Sequence, residues 1–216
     1  MNCTNEQADS LCSDVVTRLS SWEVRQAALQ SGGLEEKATY HISSALDGWI
    51  RKYYPTLGFI REYKKIDYAI IDSTVDGNVA AYVQVDSAIE VKFNYARQIT
   101  EIERRVPKGL AQAKRYREKV GARASYLLYF IAAPYASVIP PERRDSGWGY
   151  WDPSPKALTT LETAIERMAE AVNDADAILI GSASCKSTKL CKFYCGLVEY
   201  NDQNRQRSSL RDSRPT

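Results

Sequence analysis

Glu90 and Lys92 stand two residues apart in the run Ala88-Ile89-Glu90-Val91-Lys92-Phe93. A strand turns successive side chains to opposite faces, so in extended backbone the acid and the base emerge together while Ile89, Val91 and Phe93 face a core. A carboxylate and an ammonium so placed form either an ion pair on a solvated face or a small reactive site. Their company favours the second. Asp67 lies on an upstream segment of strand character, and Gln112 and Tyr116, four residues apart, share one face of a downstream helix. His41 is the single histidine, and the five cysteines (Cys3, Cys12, Cys185, Cys191, Cys195) contain no C-x-x-C pair. A zinc site built on Cys185, Cys191 and Cys195 would need a fourth ligand and has unusual spacing, so the thiols are read as free and buried in a reducing compartment.

The elements that must position these residues follow from periodicity. Val15, Leu19, Trp22 and Leu29 recur at loosely helical spacing before Ser31-Gly32-Gly33 breaks the run, which reads as a helical arm over 1–33. From Leu34, the positions Ala38, Ile42, Ala45, Leu46, Trp49 and Tyr53 keep one helix face apolar until Pro55. Glu35 and Glu36 sit in the first turn of that helix, where a carboxylate also meets the helix dipole favourably by about 0.3–1 kcal/mol. Gly58 to Tyr63 and Lys65 to Asp72 read as strands, Asp76-Gly77 as a tight turn, and Val79 through Phe93 as a third strand with a bulge at Asp86-Ser87. Pro107 suits the first position of a helix that Gly121 ends. Tyr126 to Ala132 is a continuous apolar run of buried-strand type, and a loop rich in Pro, Gly and Trp follows up to Pro153. A helix over 156–173 and strands at 177–181 and 193–200 complete the chain. The expected organisation is one α/β domain over 34–200 with a basic, disordered tail over 201–216.

The formal charge of +2 over 216 residues is matched by that tail, where Arg205, Arg207, Arg211 and Arg214 face Asp202 and Asp212. Bulk charge therefore gives no nucleic-acid footprint, and any such contact must come from a local patch. The patch is at 97–119, where eight basic residues outnumber three acids. Lys108, Lys114 and Arg115 are the phosphate-contact candidates within it. No apolar run approaches the roughly 18 residues that cross a bilayer, and the residues after Met1 are polar and acidic, so the expectation is a soluble, cytoplasmic protein with no membrane partner.

The order helix, three-strand meander, helix, strand, with Asp67 on one strand and Glu90-Val91-Lys92 on the next, resembles the core of the PD-(D/E)xK nuclease superfamily, the restriction-endonuclease-like fold. Ile66 stands where the motif is named for proline, and Gln112-Ala113-Lys114-Arg115-Tyr116 resembles the Q-x-x-x-Y signature of the exonuclease-related branch. The resemblance covers roughly 34–132 and implies an αβββαβ core with a mixed central sheet flanked by helices, extended here by additional helices and strands. It implies a nuclease that hydrolyses phosphodiester bonds, in DNA above all, with Mg²⁺ or Mn²⁺ as cofactor.

On that resemblance Asp67, Glu90 and the carbonyl of Val91 hold the metal. Lys92 orients or deprotonates the attacking water and compensates charge. Glu36, with Glu35 as the other choice, completes the acidic cluster, and Gln112 and Tyr116 meet the substrate or pack beside it. Alternatives stay open at this point: a catalytically inactive relative used for nucleic-acid or protein binding, a toxin or defence effector restrained by a partner, and an enzyme acting on RNA. The sequence is silent on whether the chain forms a dimer.

Overall fold

A computed structural model describes residues 3–20, 34–72, 84–96, 99–134, 160–175, 177–185 and 191–200. In chain order the elements are α1 (Asn5–Leu19), α2 (Leu34–Tyr53), β1 (Leu57–Tyr63), β2 (Ile66–Asp72), β3 (Val85–Tyr95), α3 (Ile99–Val120), β4 (Ala124–Pro134), α4 (Thr160–Asp174), β5 (Ala177–Ser184) and β6 (Cys191–Tyr200). The strands form one mixed sheet in the order β1-β2-β3-β4-β6-β5. Only β3 and β4 are parallel, joined through α3, and every other neighbouring pair is antiparallel.

The apolar run of β4 is unbroken because both of its faces are covered, as expected for a strand between two helical layers. Tyr126, Leu128, Phe130 and Ala132 join the cluster built with α1 and α2, while Leu127, Tyr129, Ile131 and Ala133 join the cluster built with α3 and α4. A third, small cluster of Ile66, Ala69, Val85, Ala88 and Tyr116 lies where α3 crosses β2 and β3. The result is an α/β domain with helices on both faces of the sheet.

Two expectations need correction. The N-terminal helix is not an arm. Thr4 caps it through a capping box with Gln7, and Ala8, Leu11, Cys12, Val15, Val16 and Leu19 are buried in the same cluster as the sheet. The fit against β5 is tight enough that a Cβ placed on Gly181 would lie 2.4 Å from the Cβ of Ala8 and 2.6 Å from its backbone carbon. The second correction concerns α3, which begins at Ile99, well before Pro107, and holds the proline inside. Proline within a helix removes one backbone bond and typically costs about 3 kcal/mol. Burial of Ile102 and Val106 against the second cluster offsets that cost, and Pro107 itself is exposed, so water can reach the carbonyl that lost its partner.

The bulge in β3 lies where the sequence predicts it. Ile70 pairs with Ser87 and Ile71 with Val85, leaving Asp86 as the extra residue. The turn at Asp76-Gly77, the strand expected from Val79, the Trp-rich loop and the C-terminal tail lie outside the described residues, as do Trp22 and Leu29.

Because a Cβ at position 181 has backbone and not only flexible side-chain atoms in its way, Gly181→Ala should cost about 1–3 kcal/mol, the usual range for overpacking. The check is the urea midpoint of the variant against the parent, and an unchanged midpoint would mean that α1 does not sit this closely on β5.

Candidate active site

The ladder between β2 and β3 ends at the pair Tyr68/Ile89, one step short of setting Asp67 opposite Glu90. There the Asp67 side chain replaces the ladder. The Val91 amide N–H donates to Asp67 Oδ2 at 2.7 Å. Asp67 keeps the strand parity of Ala69, and Glu90 and Lys92 keep that of Ala88, and both alanines pack with Tyr116 of α3. The three charged side chains thus share the α3 face of the sheet. Lys92 Nζ donates to Glu90 Oε1, closing the pair that the two-residue spacing predicts.

Glycine decides how α3 lies over that pair. A Cβ on Gly109 would stand 3.2 Å from Cγ of Lys92 and 2.8 Å from Cδ1 of Leu127, so the bare backbone lets the lysine stem run beneath the helix. Tyr116, two turns on, packs over Ala88. Gln112 lies between these two positions along the same helix face. Nothing local in the sequence marks Gly109 beyond its being a glycine in mid-helix.

Burial raises the pKa of Glu90, which is 3% exposed; the hydrogen bond from Lys92 opposes the shift, the Asp67 carboxylate adds to it, and the charges of Lys92 and Arg115 oppose it. Asp67 is also raised, by burial first, with the Val91 amide and Lys92 working the other way and Glu62 adding to the rise. A buried Glu90 raised partly by a half-buried Asp67 that is itself raised is the kind of perturbed pair that marks a candidate functional site.

Two acceptors support this. Glu90 Oε2 and Gln112 Oε1 are buried with no hydrogen-bond partner among the described residues. A buried polar atom left so costs about 1–3 kcal/mol, and a hard divalent ion or its water is what carboxylate and amide oxygens accept. The donor set therefore fits Mg²⁺ or Mn²⁺. It is a small set: among the described residues no three His, Cys, Asp or Glu side chains converge as metal ligands. The backbone of α2 carries Glu35 and Glu36 within one turn of Thr39, which lines the cavity beside Asp67; the two glutamate side chains lie outside the described residues.

The remaining sequence candidates separate. Arg115 is exposed and its charge reaches Glu90, and with Arg104, Lys108 and Lys119 it forms one exposed face of α3. Lys114 is on the other side of the helix, where Nζ donates to the Tyr200 hydroxyl at 2.9 Å and lies 4.7 Å from the centre of that ring. Tyr116 is 7% exposed, a packing residue under the site and not a surface for a nucleic acid. Thr39, Arg61 and Glu62 border the cavity beside Asp67, although no local motif announces them. Of the cysteines, Cys3, Cys12, Cys185 and Cys195 are free thiols, and the side chain of Cys191 lies outside the described residues. No helix among the described residues is long and apolar enough to cross a membrane.

The raised carboxyls give the metal-free protein a signed pH dependence. A folded pKa above the unfolded value means that the folded state holds its proton more tightly, so the stability involved is present below the ordinary carboxylate pKa of about 4 and is lost as pH rises through the folded values. In chelator, unfolding free energy should therefore fall as pH rises from about 4, and Glu90→Gln should flatten that fall. Denaturant titrations across a pH series measure both slopes, and identical slopes would contradict the burial described here.

No protein-family model, no characterised protein and no solved structure matches this chain.

Proposed function

We propose that this chain is a metal-dependent nuclease of PD-(D/E)xK type, with a restriction-endonuclease-like core, hydrolysing phosphodiester bonds in DNA. One observation carries the reading. The Asp67 carboxylate, bound to the Val91 amide at 2.7 Å, stands beside the Glu90–Lys92 pair on one sheet face, with a Glu90 oxygen left over.

When bound, Mg²⁺ or Mn²⁺ supplies Lewis acidity toward the phosphate. Asp67, Glu90 and the Val91 carbonyl hold it, with Glu36 as the further acid. Lys92, whose ammonium is held by Glu90 Oε1, would orient the attacking water and offset the negative charge that develops as the new P–O bond forms and the old one breaks, the water's proton passing to solvent and the departing oxygen taking one from solvent. Gln112, whose buried Oε1 has no partner among the described residues, takes part in placing the phosphate, and Lys108 and Arg115 supply attraction to the strand that is independent of sequence.

A second reading is a nuclease-like domain that binds nucleic acid without cutting it. The closed Glu90–Lys92 pair favours it, since the Lys92 ammonium is already engaged by Glu90 Oε1.

The experiment is incubation of the purified chain with supercoiled plasmid, linear duplex, single-stranded DNA and RNA in Mg²⁺, Mn²⁺ or chelator. Cleavage should require the ion. Asp67→Asn, Glu90→Gln and Lys92→Met keep shape and should each lower the rate by about 10²–10⁴-fold, the usual contribution of a positioned proton-transfer or charge-compensating group. A folded Glu90→Gln/Lys92→Met double variant that still cuts removes the assignment, and ion-dependent binding without cutting by the parent selects the second reading. Gly109→Ala alters no charge but crowds the Lys92 stem; a displacement on the order of 1 Å can cost about 10²-fold, so its kcat should drop while its melting temperature changes little.

A further inference from the structure

The cavity beside Asp67 has a wall that the chemistry above does not use. It holds about 100 Å³ and is lined by Thr39 of α2, Arg61 and Glu62 of β1, Asp67 and Tyr68 of β2, and Val91 of β3. In a regular strand residues 61 and 62 would face opposite sides, yet both line this space. The backbone accounts for it. Glu62 has φ +54°, Lys64 +51° and Lys65 +75°, and the β1–β2 ladder pairs Arg61 with Tyr68 and Tyr63 with Ile66 while passing over Glu62 and Asp67. The left-handed turn of Glu62 re-aims its side chain, so the edge of β1 opens beside Asp67.

Among the described residues lining the cavity, Arg61 is the one cation. Its charge reaches the Tyr68 phenol, whose hydroxyl donates to the Thr39 carbonyl at 3.0 Å and lies 3.0 Å from Ser43 Oγ, so the guanidinium borders the junction of β1, β2 and α2. Its own ion pair is loose: Arg61 Nη2 is 3.8 Å from Glu62 Oε1, with side chains 47% and 82% exposed. A pair of that kind contributes little, and a phosphate offers the planar guanidinium two parallel acceptors instead.

We propose that this cavity is a phosphate subsite, in which Arg61 binds the non-bridging oxygens of the nucleic-acid phosphate next to the one that is cut. The proposal rests on the nuclease reading of Asp67, Glu90 and Lys92 and adds to it a substrate contact on the β1 edge, across the site from the basic face of α3. Glu62 and Asp67 outweigh Arg61 and make the lining acidic, so the contact forms only when a divalent cation offsets their charge.

The test is equilibrium binding of labelled single-stranded and duplex DNA to the full-length chain carrying Lys92→Met, which stops cleavage, across a NaCl series in Ca²⁺ or in chelator. In Ca²⁺, Arg61→Gln should reduce the slope of log K against log salt by about 1, the loss of one phosphate contact, and weaken binding about equally for all sequences. Arg61→Lys should restore most of that slope while binding less tightly. In chelator the parent and Arg61→Gln should have equal slopes. Thermal melts of the variants should match, as expected at a half-exposed position. An unchanged slope in Ca²⁺, or the same loss in chelator, overturns the subsite. Cleavage by the parent chain in Mg²⁺ separates the two claims: cutting with no Arg61 effect sinks the subsite alone, and an Arg61 effect without cutting sinks the nuclease reading alone.

Discussion

A strand ladder that stops one residue early leaves an amide to be bonded, and here the Val91 amide is bonded by the Asp67 carboxylate. That substitution of side chain for backbone sets the distance between β2 and β3 at their fork and brings an acid from one strand against an acid and a base from the next. The other features of the site depend on it. Had β2 continued to pair regularly, Asp67 would have no reason to sit against Val91, and the part of the rise in Glu90 that comes from the Asp67 charge, second to burial, would be weaker.

Helix α3 converts that fork into an enclosed place. It crosses the α3 face of the sheet with a glycine where the lysine stem passes and a tyrosine where two alanines leave room. The same helix tolerates an internal proline because Ile102 and Val106 anchor the turns around it. Packing of an amphipathic face, and not intrinsic propensity, is what holds such a helix together. The enclosure explains why Glu90 is almost wholly buried while the base beside it keeps part of its side chain in water.

Charge is distributed in two ways around this centre. Arg104, Lys108, Arg115 and Lys119 remain on an exposed face, whereas Lys114 lies against the ring and hydroxyl of Tyr200 and Arg117 reaches 5.8 Å from the same ring. A count of basic residues along the helix therefore overstates the surface that could meet a polyanion. Arg61 adds a cation from the far strand, outside the basic stretch at 97–119.

The alternation of β3, the wheel of α2, the doubly apolar run of β4 and the bulge at Asp86 were all legible in the residues, because each is a local pattern with a period set by backbone geometry. So was the pairing of Glu90 with Lys92, whose two-residue separation leaves them on one face. The chain order could not reveal that α1 packs into the core, since the partner of Ala8 is Gly181 and the match between them exists only once β5 is in place. Nor could it reveal the early start of α3, where a favourable burial outweighs an unfavourable proline. Arg61, Glu62 and Gly109 carry no motif. Their relation to Asp67 and Lys92 is one of register and approach distance, quantities that arise between elements and have no expression along the chain.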